Sequence, residues 1–176
     1  MNMVKPIVTE KHAVDPLSYR NAMSQFAGAV NIVTTNGAAG RRGLTLSAGC
    51  SVSDNPATLL ICLQRIHLDN RMFIENGVFA FNVLHADQKH LAEAFAGRNS
   101  LSSDERFALG TWDELVTGSP VLRGALTSFD CRIISCQDQA THHVIFGEVL
   151  DIRQTQAEPD AEALVYLNRA YHRLKV

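Results

Sequence analysis

One group of residues that could contact a ligand is a row of hydroxyl side chains spaced two residues apart. In the stretch LTLSAGCSVS, residues 44–53, Thr45, Ser47, Ser51 and Ser53 alternate with apolar side chains. A period of two predicts one strand with an apolar face and a face of hydroxyls and glycine. Such a face is typical of a strand that faces solvent. It would also suit a flat ligand with polar edges, because small side chains allow close approach and hydroxyls can bond polar atoms.

Two further polar residues could belong to a site. Asn82 interrupts the apolar strand VFAFNVL, and a buried asparagine must be hydrogen-bonded, either to the surrounding backbone or to a ligand. His142 begins a predicted strand after the short turn ATH. A histidine at such a strand end is usually a surface residue, and the alternative is a place in a site. For Asn82 and His142 alike, the residue pattern leaves both alternatives open.

Several nucleotide-binding and hydrolase motifs are missing. Gly37, Gly40 and Gly43 lead into a strand, whereas a dinucleotide-binding Rossmann fingerprint needs its glycines at the start of a helix. We therefore interpret this stretch as a hairpin loop. The phosphate loop GxxxxGK(S/T) and the nucleophile elbow GxSxG do not occur.

The histidines do not have the spacing of metal ligands. His142 and His143 are neighbours on a strand and therefore point to opposite faces. His85 and His90 lie on either side of a predicted helix start, and HExxH is absent. Because ligand spacing is the signal for a metal site, we predict none.

The composition predicts a soluble globular protein. Of the 176 residues, 46% are hydrophobic and 19% charged, and the formal net charge is -2. With no excess of basic residues, neither a nucleic acid nor an anionic membrane is expected as a partner. No apolar run approaches the roughly 20 residues of a membrane span, and no secretory signal is visible. The four cysteines form no CxxC, so we expect reduced thiols in a cytoplasmic protein.

The predicted elements are mostly strands that follow one another with few helices between them. Strands are predicted at VNIVTT, 44–53, TLLICLQ, VFAFNVL, 126–137, 143–154 and ALVYLN, and helices at 15–29 and ADQKHLAEAFAG. This order favours an antiparallel barrel with peripheral helices over a βαβ sheet. No break in composition divides the chain. We therefore predict a single domain over 15–176, preceded by a flexible N-terminal arm over 1–14.

Seven stretches, in this order, resemble the short-chain flavin reductase family, whose fold is an FMN-binding split β-barrel. They are FAGAVNIVTTNG, GLTLSAGCSVSDNPATLLICL, FAFNVLHADQKHLAEAFAG, ERF, SPVLRGALTSFDCRI, ATHHVIFGEV and LVYLNRAYHRL. The resemblance spans roughly residues 17–174. It implies a mainly β protein with an antiparallel split barrel. It also implies that the protein binds FMN or FAD and reduces it with NADH or NADPH by hydride transfer.

The resemblance also implies a set of flavin contacts. The segment from Thr45 to Ala48 would line the isoalloxazine ring, Ser51 and Ser53 would lie towards the ribityl phosphate, and His142 would lie near nicotinamide and flavin. The full set is Thr45, Leu46, Ser47, Ala48, Ser51, Ser53, Leu63, Gln64, Arg65, Asn70, Asn82, Val83, Phe95, Ala96, His142 and Tyr171. Since the two cofactors carry the chemistry, we expect His142 to orient the rings or balance charge.

Three departures from the family pattern concern the turns and the phosphate. The family's turn with two prolines is Pro56-Ala57 here, and the glycine of its Gly-(Thr/Asp)-His motif is Ala140. The run QRIHLDN replaces several hydroxyls that many members carry. We expect Arg65 in this run to contact the phosphate instead, because a guanidinium binds phosphate well.

The resemblance further implies a homodimer and an acceptor for the electrons. Reduced flavin would leave for the monooxygenase of a two-component system. Alternatively, bound FMN would reduce another small-molecule acceptor, such as a ferric chelate or a cob(II) corrinoid. A hypothesis of another class is a split barrel that holds flavin or haem without turnover.

Overall fold

The main body of the protein is an antiparallel sheet of seven strands. The computed structural model describes residues 13–155 and 160–176. In spatial order the strands are β3 (Arg42–Leu46), β2 (Asn31–Thr35), β6 (Val78–Val83), β9 (Thr127–Gln139), β10 (His142–Gln154), β5 (Ala57–Gln64) and β4 (Gly49–Asp54). All neighbours in this order pair antiparallel. The predicted mainly β, antiparallel fold is therefore confirmed.

Strands β3 and β4 follow each other in sequence but lie at opposite edges of the sheet. Only Ser47 and Ala48 join them. Three Cα–Cα steps span at most about 11 Å, so the sheet must curl until its two edges meet at this corner. The amide of Cys62 donates to the carbonyl oxygen of Ala48 at 3.0 Å and ties the corner to β5. Among the described residues, β3 and β4 form no ladder with each other, which makes the barrel a split one.

The corner overturns the prediction of one strand over 44–53. The backbone leaves the β3 ladder after Leu46 and joins the other edge of the sheet at Gly49, so the alternating pattern belongs to two strands. Glycine is required at that point because a Cβ on residue 49 would lie 2.6 Å from Cε2 of Phe81.

Helices and small sheets cover the outside of the barrel. The helices are α1 (Pro16–Met23), α2 (Arg71–Asn76), α3 (Lys89–Phe95) and α4 (Ser103–Ala108). The remaining strands are β1 (Gly28–Ala29), β11 (Glu162–Leu167) and β12 (Ala170–Lys175), which form one sheet, and β7 (Trp112–Glu114) and β8 (Pro120–Leu122), which form another. In the part of the chain described, none of the helices has the length and apolar character needed to cross a membrane.

Most of these helices and strands lie where the sequence predicts them, but several begin or end at other residues. The predicted hairpin of 126–137 and 143–154 is the β9–β10 pair. The helix predicted over 15–29 ends at Met23, and RAYHRL forms most of an additional strand, β12. The arm predicted over 1–14 falls on residues of which 1–12 lie outside the described range, and the single domain over 15–176 stays a prediction.

Two apolar clusters lie on the two faces of the curled sheet. Neighbouring residues of β2 divide between them, with Ile32 in the outer cluster and Val33 in the inner one, so β2 is buried on both faces. The inner cluster contains Val33, Leu46, Leu59, Ile61, Leu63, Phe73, Phe79, Phe81, Cys131 and Ile145. The outer cluster, beneath α3 and α4, contains Val30, Ile32, Leu84, Leu91, Ala92, Phe95, Phe107, Leu122, Ala125 and Leu164.

Asn82 is fully buried on β6 and connects three strands. Its Nδ2 donates to the carbonyl oxygen of Ile32 at 2.9 Å, and its Oδ1 accepts from the amide of Leu122 at 2.9 Å and from the Ser128 hydroxyl at 2.8 Å. These bonds satisfy the amide within the protein, which is the structural alternative that the sequence left open. In this chain Asn82 therefore holds β2, β8 and β9 together.

We predict that Asn82→Ala lowers the free energy of unfolding by about 2–3 kcal/mol, because it leaves a buried amide and a buried carbonyl without partners. Urea unfolding followed by circular dichroism measures the change. Asn99→Ala is the matched control, since Asn99 is an exposed asparagine. A loss at Asn82 no larger than that at Asn99 would contradict the structural role.

Candidate functional site

A cavity of about 670 Å³ lies at the corner where β3, β5 and the end of α3 meet. It brings together ten residues that the sequence analysis assigned to the flavin. They are Thr45, Leu46, Ser47, Ala48, Leu63, Gln64, Asn70, Phe95, Ala96 and His142. The cavity therefore joins segments that lie almost a hundred residues apart in the chain.

The contact between β3 and α3 shapes one wall of this cavity. The hydroxyl of Thr45 donates to the carbonyl oxygen of Ala92 at 2.8 Å. Gly43 allows the aromatic ring of Phe95 to lie against the strand, since a Cβ on residue 43 would lie 2.6 Å from Cε1 of that ring. Phe95 in turn makes edge contacts with Phe107 and Trp112, at 5.1 and 5.6 Å between ring centroids. Closely packed aromatic side chains therefore support this wall.

Arg42 carries positive charge into the opposite part of the cavity. Its Nε donates to Oδ1 of Asn70 at 3.1 Å and its Nη1 to Oδ2 of Asp69 at 3.2 Å. Asn70 is buried and also donates to the carbonyl oxygen of Gln64 at 2.8 Å. Burial lowers the pKa of the Arg42 guanidinium while Asp69 raises it, and an arginine in a protein remains charged. Asn70 thus holds Arg42 in place as much as it lines the cavity.

Arg106 of α4 also lines this cavity, and its charge contributes to lowering the pKa of Arg42. Its Nε donates to the carbonyl oxygen of Leu101 at 2.9 Å, which fixes the guanidinium at the cavity wall. Two guanidinium groups thus lie at one cavity, together with the Asp69 carboxylate that pairs with Arg42. Neither arginine is among the residues that the sequence assigned to the flavin. The signal was present in GRRG and in ERF, but only the fold shows that these stretches meet.

His142 is the first residue of β10 and lies opposite Gln64 of β5. Its Nδ1 is 2.9 Å from the hydroxyl oxygen of Thr141, which leaves Nε2 as the nitrogen that can meet a ligand. Both His142 and Gln64 also line a second cavity of about 830 Å³. These two residues are therefore shared by the two cavities.

The remaining predicted residues lie outside the first cavity. Ser51, Ser53 and Val83 line a third cavity of about 470 Å³, which shares only Ser47 with the first. Arg65 lines the second cavity. Tyr171 packs against Tyr166, with ring centroids 5.3 Å apart. The flavin contacts expected of these residues and of Asn82 stay predictions. These residues are not among those that line the first cavity.

Cys136, Asp138 and His143 form a cluster with ligand atoms within 4.8 Å of one another. The sequence analysis considered only pairs of histidines and missed it, because the register of the β9–β10 hairpin, which pairs His143 with Asp138, brings the three together. Oδ1 of Asp138 lies 2.6 Å from Nδ1 of His143, and its Oδ2 lies 3.2 Å from Nη2 of Arg65. Its carboxylate thus has two partners within the protein.

Comparison with known proteins identifies relatives over most of the chain. The family model for the flavin reductase like domain matches residues 23–175. A protein of Agrobacterium fabrum named FMN reductase (NADH) RutF is 48% identical over 155 residues, which cover 88% of this chain and 86% of the relative. The reductase component of 4-hydroxyphenylacetate 3-monooxygenase from Pseudomonas aeruginosa is 42% identical over 158 residues, which cover 90% and 91%.

A solved structure with the same fold is BorF, the flavin reductase component of a bacterial two-component tryptophan halogenase. It is 30% identical to this chain, with a TM-score of 0.83, over 92% of this chain and 99% of BorF.

Proposed function

The chain belongs to the flavin reductase like domain family, and we propose that it is an NAD(P)H-dependent flavin reductase that acts on FMN or FAD. The observation that carries this proposal is the first cavity, in which apolar side chains, small hydroxyl side chains and two guanidinium groups lie together. A flavin presents the matching features: a flat apolar ring system, polar ring edges and a phosphate.

The first cavity has the size and chemistry for a flavin. Its volume of about 670 Å³ lies within the range of cofactor sites. Thr45 and Ser47 offer polar groups beside the apolar surface of Phe95, as a ring with polar edges requires. Burial raises the pKa of the Cys62 thiol on the same wall, so this cysteine stays protonated and inert near neutral pH.

The protein positions its ligands and supplies no nucleophile. When both are bound, the nicotinamide supplies a hydride and the flavin accepts it. The β3 segment and Phe95 would hold the flavin ring, and Gln64 and His142 line both the first and the second cavity. We assign to His142 the orientation of the two rings, because hydride transfer requires the reacting atoms to be held roughly 3–3.5 Å apart.

We assign the flavin phosphate to Arg42 and Arg106. Both guanidinium groups line the first cavity; Asn70 and Asp69 bond that of Arg42, and the carbonyl oxygen of Leu101 bonds that of Arg106. A guanidinium pairs with phosphate through parallel charge-assisted hydrogen bonds. Arg65, which was expected at the phosphate from the sequence, lines the second cavity.

For the electron acceptor, we propose a partner monooxygenase that receives free reduced flavin. One relative named above is the reductase component of a monooxygenase, and BorF is the flavin reductase component of a two-component halogenase; both support the proposal. The competing function is a reductase that keeps FMN bound and reduces a ferric chelate or a cob(II) corrinoid. A binder without turnover is the alternative of another class.

We also propose a homodimer formed through the third cavity. Phe26 and Ile152 line it with 73% and 52% of their surfaces exposed, and exposed apolar side chains grouped in this way are typical of an interface. The Oδ1 atom of Asn31, which is buried at this cavity, has no hydrogen-bond partner among the described residues. A second copy would cover the apolar side chains and offer that atom a donor.

The activity is tested by anaerobic NADH oxidation with FMN, FAD, ferric chelates and a cob(II) corrinoid as acceptors. We expect free flavin to be reduced fastest and His142→Ala to lower turnover about ten-fold or more through loss of ring alignment. His90→Ala, at an exposed histidine of α3, is the control. Unchanged NADH absorbance with either flavin would favour the non-catalytic binder, and faster reduction of a chelate or corrinoid would favour the competing reductase.

The phosphate assignment is tested by comparing FMN with riboflavin, which has no phosphate. Arg42→Gln and Arg106→Gln should each raise KM for FMN about ten-fold, which is the value of a lost charge-assisted pair, and leave KM for riboflavin nearly unchanged. Arg41→Gln is the control variant. It removes the same charge from the residue next to Arg42, but Arg41 pairs with the exposed Asp104. Equal effects on the two flavins would show that the arginines do not read the phosphate.

The dimer is tested by light scattering during gel filtration. Ile152→Asp should shift the protein to the monomer mass, because a carboxylate would be buried without a partner in the interface. Ile66→Asp makes the same change at an exposed side chain that lines the second cavity instead, and should leave the dimer intact. A monomeric wild-type protein, or a dimeric Ile152→Asp variant, would contradict the proposed interface.

A further inference from the structure

The turn that carries His142 has an unfavourable backbone. Gln139 and His142 pair across the β9–β10 hairpin, so Ala140 and Thr141 form a two-residue loop. Ala140 has a φ of +48°, the left-handed region that a Cβ disfavours. Two-residue hairpin loops with positive φ at the first position normally have glycine there. A strained residue of this kind persists when its surroundings hold it in place.

Arg65 supplies three contacts that hold this turn. Its backbone amide donates to the carbonyl oxygen of Thr141 at 3.0 Å, which extends the β5–β10 ladder by one step. Its Nη1 donates to the carbonyl oxygen of Ala140 at 3.1 Å. Its Nη2 lies 3.2 Å from Oδ2 of Asp138, on the other arm of the hairpin. The guanidinium therefore spans the loop from Asp138 to Ala140.

The far side of this contact is fixed as well. Oδ1 of Asp138 lies 2.6 Å from Nδ1 of His143, which is only 8% exposed and sits directly across the hairpin. The carboxylate cannot swing away without breaking that contact. The Arg65 guanidinium thus joins the Ala140 carbonyl oxygen to a carboxylate that His143 holds in place.

The contacts of Arg65 affect His142 through the residues next to it, Thr141 and Gln64. Thr141, whose carbonyl accepts from Arg65, also contacts Nδ1 of His142 through its hydroxyl at 2.9 Å. Gln64, which precedes Arg65, pairs with His142 across the strands. The position and ring orientation of His142 therefore depend on where Arg65 holds the loop.

We propose that Arg65 is a positioning residue which, together with Asp138, holds the strained Ala140 turn and so sets the orientation of His142. This inference rests on the proposed function and deepens it. The partners of the Arg65 guanidinium are on this turn and on the adjoining strand.

The test uses Arg65→Met, Ala140→Gly and the double variant. Methionine keeps most of the length and apolar character of the side chain but removes its donors. We expect Arg65→Met to lower kcat about ten-fold or more through misplacement of His142, with KM for FMN and for riboflavin within two-fold of wild type. Ala140→Gly alone should resemble wild type. In the double variant kcat should recover to within about three-fold, because glycine adopts positive φ without strain.

Two NMR readouts do not depend on turnover. In Arg65→Met, the amide hydrogen at position 65 should exchange with solvent at least ten-fold faster, and the ring signals of His142 should shift. Adding Ala140→Gly should return the His142 signals towards their wild-type positions. Assignment of these signals uses their loss in His142→Ala.

The outcomes separate this inference from the proposed function. A higher KM for FMN but not for riboflavin in Arg65→Met, without rescue by Ala140→Gly, would mean that Arg65 binds the phosphate and would overturn the inference. Unchanged amide exchange and unchanged His142 signals would overturn it too. If the wild-type protein oxidised no NADH with either flavin, the proposed function would fail, while the NMR measurements would still decide whether Arg65 positions His142.

Discussion

The structure depends on one constraint of chain connectivity: two residues, Ser47 and Ala48, must join the two edges of a seven-stranded sheet. The sheet can meet this constraint only by curling on itself. Curling creates an interior for the apolar cluster around Phe79 and Ile61, and it leaves a corner where edge strands meet without pairing. Backbone groups and small side chains are accessible at such a corner, and the first cavity forms there.

Close packing on both sides of the corner prevents the curl from relaxing. Glycine at residue 43 allows the Phe95 ring to press on β3, and glycine at residue 49 allows the Phe81 ring to press on β4. Asn82 holds the neighbouring strands through buried hydrogen bonds that leave it no free polar atom. The cavity wall is therefore built from closely packed elements.

The guanidinium groups near the first cavity differ in how many of their donors are already bonded within the protein. The guanidinium groups of Arg42 and Arg106 are each held at Nε by a neighbour, and Nη1 of Arg42 also bonds Asp69. The guanidinium of Arg65 is engaged with the hairpin. The three arginines therefore differ in which of their atoms are already bonded within the protein.

The sequence by itself determined the class of the fold, most strands and the segments that line the cavity. Periodicity and turn residues report local geometry, and the family resemblance predicted flavin contacts for Thr45 to Ala48, which line the first cavity. Only the tertiary structure decided where the strand over 44–53 breaks, because the break results from the curl of the whole sheet. It also decided the partners of Asn82 and Arg65 and the meeting of Arg42 with Arg106. These depend on contacts between segments distant in sequence, and no local pattern encodes which of two polar groups will face a cavity and which will be bonded inside the fold.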